Sequence, residues 1–235
     1  MLLEVKKLNA GYGYLQILRD VSLNVDTGEY VCLVGPNGAG KSTTLKTIAG
    51  LLSPTSGEIL FDGEPIGGLP GNKVTRKGIS LVSEDMNLFV NMSVEENLAM
   101  GAYIIRDKKA KKKQLEFVYD LFPRLAERSG QLAGTMSGGE RKMLAIGRGL
   151  MANPQLLLVD EPSFGLAPQL TENVFQSLDV LVKKGLTIML VEQNVTKTLE
   201  VTDRGYVLEN GSIELSGKSS DLADNPHVRK VFLGV

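Results

Sequence analysis

Val31-Cys32-Leu33-Val34-Gly35-Pro36-Asn37-Gly38-Ala39-Gly40-Lys41-Ser42 decides how the rest of this chain is read. The four leading apolar residues, with no polar alternation, predict a strand buried on both faces, and the eight that follow satisfy G-x-x-x-x-G-K-[ST]. Glycines at 35, 38 and 40 let the backbone curl so that successive N–H groups converge on a phosphate with no Cβ in the way. A helix starting near Lys41 directs the positive end of its dipole to the same point. Lys41 adds a point charge for the β- and γ-phosphates, and the Ser42 hydroxyl is placed to ligate Mg²⁺. Gly35 to Ser42 therefore predict a site for a nucleoside triphosphate.

Composition narrows the class. The 235 residues carry 26 basic and 27 acidic side chains, a net charge of −1 that gives no global pull toward nucleic acid. Cys32 is the only cysteine, so intramolecular disulfides are excluded and a reducing compartment fits. Met1 to Lys6 show no signal-peptide core, and no apolar run approaches the ~18 residues of a membrane span. The expectation is a soluble protein, any membrane role of which must come through a partner.

Val21, Leu23 and Val25 alternate with polar residues as a half-buried strand, so antiparallel strands open the chain. Tyr12, in Ala10-Gly11-Tyr12-Gly13, is read on a glycine-flanked loop where its ring could stack on a base, with plain core or surface packing as the alternative. After the phosphate loop, Leu45, Ile48, Ala49 and Leu52 form a helical stripe, and Asp62-Gly63 is a hairpin turn. From about Ser93 to Leu150 the pattern is helical, beginning with the capping box Ser93-Val94-Glu95-Glu96. The lysines between Lys108 and Lys113 have no interleaved aromatics and read as a solvated helix face. Leu156 to Val159 and Thr187 to Val191 are further buried strands.

Open parallel sheets bind ligands beyond the carboxyl ends of their strands. Four strands here end in chemistry-bearing groups: the phosphate loop, Glu84, Asp160-Glu161 and Gln193. Phosphoryl transfer needs a cradle, Mg²⁺ ligands and a group that deprotonates or positions the attacking water. Asp160 is the natural Mg²⁺ partner of Ser42. Glu161 points to another side of the strand end and is assigned as general base. Met136-Ser137-Gly138-Gly139-Glu140 is a second capping box, whose glycines also bare N–H groups as an anion site. Both helix ends can reach one γ-phosphate only if the chain folds back or a second subunit supplies one of them.

Together these stretches resemble the ATPase subunits of ABC transporters across essentially the whole chain. The resemblance implies an α/β fold over residues 1–235: a P-loop NTPase core with a mainly parallel sheet, an N-terminal antiparallel β sub-domain, and a helical sub-domain inserted at about 85–150. It implies a head-to-tail dimer in which Ser137, Gly138, Gly139 and Glu140 of one subunit close over ATP on the other's Gly35 to Thr43. It also places Tyr12 at the base and Glu84 at the loop that senses Mg²⁺ and touches the membrane partner. Four positions depart from the commonest pattern: Glu84 for Gln, Glu140 for Gln, Ala167 for Asp, and Gln193 for the His that contacts the γ-phosphate. His227, the only histidine, lies in the wrong context to replace it.

These departures are similar to those of the smaller ATPase subunit of branched-chain amino-acid importers. That resemblance implies permease subunits in the membrane, a second ATPase as heterodimer partner with a homodimer as the alternative, and an external solute-binding protein. It implies cytoplasmic, peripheral placement on the inner face of the membrane. Urea or short amides are alternative solutes. A non-transport ABC protein would share the sites but usually carries tandem ATPase domains, a coiled coil or a basic arm. A kinase would need a second substrate pocket.

Overall fold

The computed structural model describes residues 1–233. β1 (Leu3–Tyr12) and β2 (Leu15–Val25) form the antiparallel pair that opens the chain, with Val5 opposite Leu23. β3 (Tyr30–Val34) is buried along its whole length, and α1 (Lys41–Ile48) follows the phosphate loop. The stripe through Leu52 overestimates this helix. Gly50 takes φ +72° and the Leu51 N–H turns back to the Lys46 carbonyl, so a left-handed turn ends α1. β4 (Ser56–Phe61) and β5 (Glu64–Pro65) join through Asp62-Gly63, both at positive φ.

α2 (Gly71–Lys77), which no period in the sequence predicts, leads into β6 (Ile79–Val82). The segment from 94 to 150 holds α3 (Val94–Gly101), α4 (Lys108–Leu121), α5 (Pro123–Glu127) and α6 (Gly138–Leu150). β7 (Leu156–Asp160), α7 (Pro168–Lys183), β8 (Thr187–Glu192) and α8 (Val195–Val201) return the chain to the core. The hairpin of β9 (Arg204–Glu209) and β10 (Ser212–Lys218) precedes two short helices, α9 (Ser219–Ala223) and α10 (Pro226–Val228).

The strands make two sheets, ordered β2-β1-β4-β5 and β10-β9-β3-β8-β7-β6. The first is antiparallel, and the second is parallel except for its edge strand β10. Unbroken apolar runs are required because alternate residues feed different cores. Leu156, Leu158, Met189 and Val191 pack with Val31, Leu33 and the antiparallel sheet. Leu157, Val159, Ile188 and Leu190 pack with α3 to α7. Full burial of each such side chain is worth about 1.5–3 kcal/mol, so one polar replacement in a run loses a core contact on one face. In register, Val34 lies beside Glu192, Asp160 beside Val191, and Val82 beside Val159. The carboxyl ends of β3, β8, β7 and β6 are therefore nearly level.

Candidate active site

The phosphate loop leaves β3 in a conformation that only glycine accommodates at its closing turn. Gly40 sits at φ +109°, and a Cβ there would come within 2.7 Å of Leu18 Cδ2. The loop rests on the C-terminal hairpin: a Cβ on Gly35 would lie 2.1 Å from the Leu208 carbonyl oxygen, and Gly211 N–H donates to Ala39 O at 3.0 Å. Lys41 is 4% exposed. Its Nζ donates to the carbonyls of Gly35 at 2.9 Å and Pro36 at 3.2 Å, and lies 3.5 Å from Glu161 Oε1. A cleft of about 430 Å³ opens above the loop, lined by Asn37, Gly38, Gly40, Lys41, Ser42, Thr43, Glu84, Glu161 and Gln193, with Ile17 and Phe164 at its sides.

Ser42 Oγ donates to Asp160 Oδ1 at 2.9 Å, joining two sequence stretches 118 residues apart. Burial is the main cause that pushes the Asp160 carboxyl up to about 6; the charges of Glu161 and Glu84 add to it, and the Ser42 bond opposes it. Glu161 takes φ +44°, a left-handed conformation that a non-glycine residue adopts at a cost of order 1–3 kcal/mol. Its N–H donates to the Val191 carbonyl at 2.9 Å, which ties it to β8. This bend turns the Glu161 side chain into the cleft.

Two of the expected site residues have neighbours that the sequence does not announce. Gln193 lines the cleft, yet its side-chain amide donates to Glu161 Oε2 at 2.5 Å, because the left-handed bend at Glu161 brings the carboxylate across to the end of β8. Tyr12 ends β1 rather than lying in a loop, since pairing of Tyr12 with Leu15 continues the ladder to the Gly13-Tyr14 turn. It is 48% exposed and stands outside the cleft lining, where Ile17 of β2 supplies the apolar surface. The sequence reading missed Ile17; its place a few residues beyond the Gly11-Tyr12-Gly13 stretch was the available signal.

The Ser137 box forms as the sequence predicts. Ser137 N–H donates to Glu140 Oε2 at 3.0 Å, its hydroxyl donates to the same oxygen at 2.8 Å, and Arg128 Nε lies 3.3 Å from Glu140 Oε1. The Ser137 N–H and hydroxyl, with help from Arg128, hold the Glu140 carboxyl below its ordinary range. Gly139 is buried because a Cβ would meet Leu170 of α7 at 2.8 Å, while Ser137 and Gly138 are exposed. None of Ser137 to Glu140 lines the phosphate-loop cleft of its own chain.

Three more residues brace the site without having been singled out. Glu192, 2% exposed at the end of β8, accepts from Ser163 N–H at 2.8 Å and Gln193 N–H at 3.1 Å, and burial pushes its carboxyl up. Lys142 of α6, also 2% exposed, donates to the carbonyls of Glu84 and Glu161, both at 3.3 Å. Phe164, 60% exposed, stands at the cleft wall. Glu192 continues the buried alternation of Leu190, and Lys142 shares a helix face with Ala145 and Ile146. Those spacings were the readable clues.

The donor set fits a nucleoside triphosphate with a hard divalent cation. A glycine cradle and Lys41 match phosphate oxygens, and the Ser42 hydroxyl with the Asp160 carboxylate matches magnesium, which takes one or two protein oxygens and completes its shell with phosphates and water. Among the described residues no three His, Cys, Asp or Glu side chains converge as an all-protein metal cage. A cation beside Asp160 would offset the cost of ionising it in this buried position.

Comparison with known proteins leads to the same chemistry. The family model described as "ABC transporter" matches residues 18–164. The chain is 48% identical to the high-affinity branched-chain amino acid transport ATP-binding protein BraG of Pseudomonas aeruginosa, covering 99% of this chain and 100% of that one. It is 39% identical to the probable branched-chain amino acid transport ATP-binding protein LivF of Archaeoglobus fulgidus (100% and 99% covered), and 33% identical to the lipopolysaccharide export system ATP-binding protein LptB of Escherichia coli (99% and 97%). Among solved structures, an ABC transporter cassette in its ADP conformation superposes with a TM-score of 0.87 at 27% identity, covering 100% and 99% of the two chains. A dimeric bacterial ABC transporter cassette gives 0.83 at 26%, covering 93% and 99%. By the family match over residues 18–164 and the 48% identity to BraG over nearly its whole length, the chain belongs to the ABC transporter family as an ATP-binding and ATP-hydrolysing subunit.

Proposed function

We propose that this chain energises the import of amino acids, branched-chain ones in particular, by closing and reopening a head-to-tail ATPase dimer on membrane permease subunits. The observation that carries the dimer is the position of Ser137 to Glu140: a solvent-facing helix end outside its own cleft. A second subunit must bring the equivalent end to this ATP. Binding then does mechanical work. Shifting a closure equilibrium from 1:99 to 99:1 needs about 5.5 kcal/mol, which a few charge-assisted hydrogen bonds of ~1.5–3 kcal/mol each can supply.

Ser42 and Asp160 would hold Mg²⁺, which when bound would supply positive charge to the phosphates. Lys41 exchanges its Glu161 contact for phosphate, and Glu161 accepts a proton from the attacking water. Gln193 steers the Glu161 carboxylate through its 2.5 Å bond. The membrane partner docks beside Glu84, where Phe89, Met100 and Tyr103 expose apolar surface around a cleft of about 370 Å³ that Arg148 also lines. Among the described residues no helix is long and apolar enough to cross a membrane, so attachment through such a partner is consistent.

The amino-acid assignment rests on similarity to BraG, at 48%, over LptB, at 33%, together with the departures at 84, 140, 167 and 193, which resemble the pattern of that subgroup. A second, different ATPase subunit is the favoured partner, and a solute-binding protein outside delivers the substrate. The test is the solution mass of Glu161→Gln protein with and without Mg-ATP, alone and mixed with candidate second ATPases. Mass should double in one of these mixtures. A protein that binds ATP tightly and gains no partner in any of them refutes the two-sided site. Uptake of labelled leucine, against labelled urea, by vesicles carrying the assembled complex tests the solute.

A further inference from the structure

We propose that Lys142 is a positioning residue that transmits the placement of the Ser137 helix end to the water-activating carboxylate Glu161 of the same subunit. The inference rests on the reading of Glu161 as general base. Lys142 lies on α6, five residues beyond Ser137, and among the described residues it and Lys41 are the two buried lysines. Its ammonium bridges two separate strand ends, donating to the carbonyl of Glu161 after β7 and to that of Glu84 after β6.

Glu161 needs such a hold. Its left-handed φ of +44° is a conformation that persists only where surrounding contacts over-determine it. Its carbonyl has two donors, Lys142 Nζ and Phe164 N–H at 3.2 Å, and Phe164 opens the segment that runs to α7. The same ammonium lies in the field of Glu192, Glu84, Asp160 and Glu161, so it offsets a concentration of negative charge that would otherwise spread these strand ends. Burying a lysine is costly, and desolvation holds this ammonium below its ordinary range; the two carbonyls and the surrounding carboxylates offset part of that cost, and they belong to the groups that do the chemistry. A shift of the exposed Ser137 end, as when a partner's nucleotide engages it, therefore moves the donor that fixes Glu161. Each subunit's Lys142 would couple the ATP it reads in its partner to the water it activates at its own site.

The test compares Lys142→Met, which keeps length and removes the donor, with Lys142→Arg, which keeps it. In Lys142→Met, kcat for ATP hydrolysis should fall about 10–100-fold, the scale of a small misplacement of a catalytic group, with KM for ATP within about threefold. In the protein without added nucleotide, hydrogen exchange at the amides of Phe164 and Leu166 should quicken by about tenfold as the bend loosens. Lys142→Arg should restore most of both. Should Lys142→Met fail to fold, Lys142→Leu, which also removes the donor, is read in the same way. Wild-type kcat with wild-type exchange overturns the proposal, and so does a loss in which KM rises as kcat falls. Unchanged turnover in Glu161→Gln would instead sink the reading of Glu161 and leave the exchange result to decide the strut.

Discussion

Replacing Asp160 with Asn should stabilise the protein in a way that depends on pH. The carboxyl is 2% exposed and is pushed from an ordinary 3.8 to about 6, chiefly by burial. A difference of that size is worth about 3 kcal/mol against the ionised form in the folded chain, at 1.36 kcal/mol per pH unit. Since the folded value is the higher, the folded chain keeps a proton that the unfolded chain has released between about pH 4 and 6. Stability from this group is therefore complete below about pH 3.8 and lost as pH rises through about 6. Asn cannot ionise, and its amide oxygen can still accept from Ser42. In EDTA, the stability of Asp160→Asn minus that of the wild type should be near zero at about pH 4 and reach about 2–3 kcal/mol by pH 7.5. Urea unfolding followed by far-ultraviolet circular dichroism at three pH values measures it. Carboxylates remote from Asp160 are common to both proteins and cancel, while the charges of Glu161 and Glu84 that bear on it are already among the causes of its shift. A difference that stays flat with pH, or a variant less stable at pH 7.5, refutes the account. Added Mg²⁺ and ATP should raise the wild type more than the variant, because the variant lacks the carboxylate ligand for the cation.

Glu161→Gln should slow phosphate release by about 10²–10⁴-fold while leaving the affinity for a fluorescent ATP analogue intact; unchanged turnover would remove Glu161 from its role. Ala167 caps α7 without any side-chain acceptor, so Ala167→Asp should add about 1 kcal/mol to stability, read as a rise in the thermal midpoint. No rise would mean that α7 is capped adequately by other contacts. Gly40→Ala, which forces a Cβ to φ +109° and against Leu18, should cost at least about 1 kcal/mol and weaken ATP binding in calorimetry.

The sequence made the cradle and the carboxylate pair legible because both depend on local pattern: an apolar run long enough for a strand, followed at once by polar groups. The capping boxes at Ser93 and Ser137 were legible for the same reason. What escaped was decided by tertiary contact. No local signal in Asp160-Glu161-Pro162 announces a left-handed glutamate, and without that bend the bond from Gln193 could not be foreseen. Lys142 carries a charge that argues for exposure, while its helix face argues for burial; the carbonyls that decide the matter come from strands ending at residues 82 and 160. Tyr12 was misread because its flanking glycines suggest a loop, whereas cross-strand pairing holds Gly11 and Tyr12 in β1.

The bracing of the phosphate loop by the last hairpin bears on how the protein is made. β3 pairs with β8 and β9, so the loop that follows it is anchored on strands synthesised more than 150 residues later. Gly35 abuts Leu208, and Ala39 is tied to Gly211. Such distant pairings are slow to close and leave earlier strands waiting with open edges. On the ribosome, the first catalytic segment to emerge is the last to be completed. A nascent chain is thus mute toward ATP until almost all of it has been translated, and fragments released early spend no nucleotide.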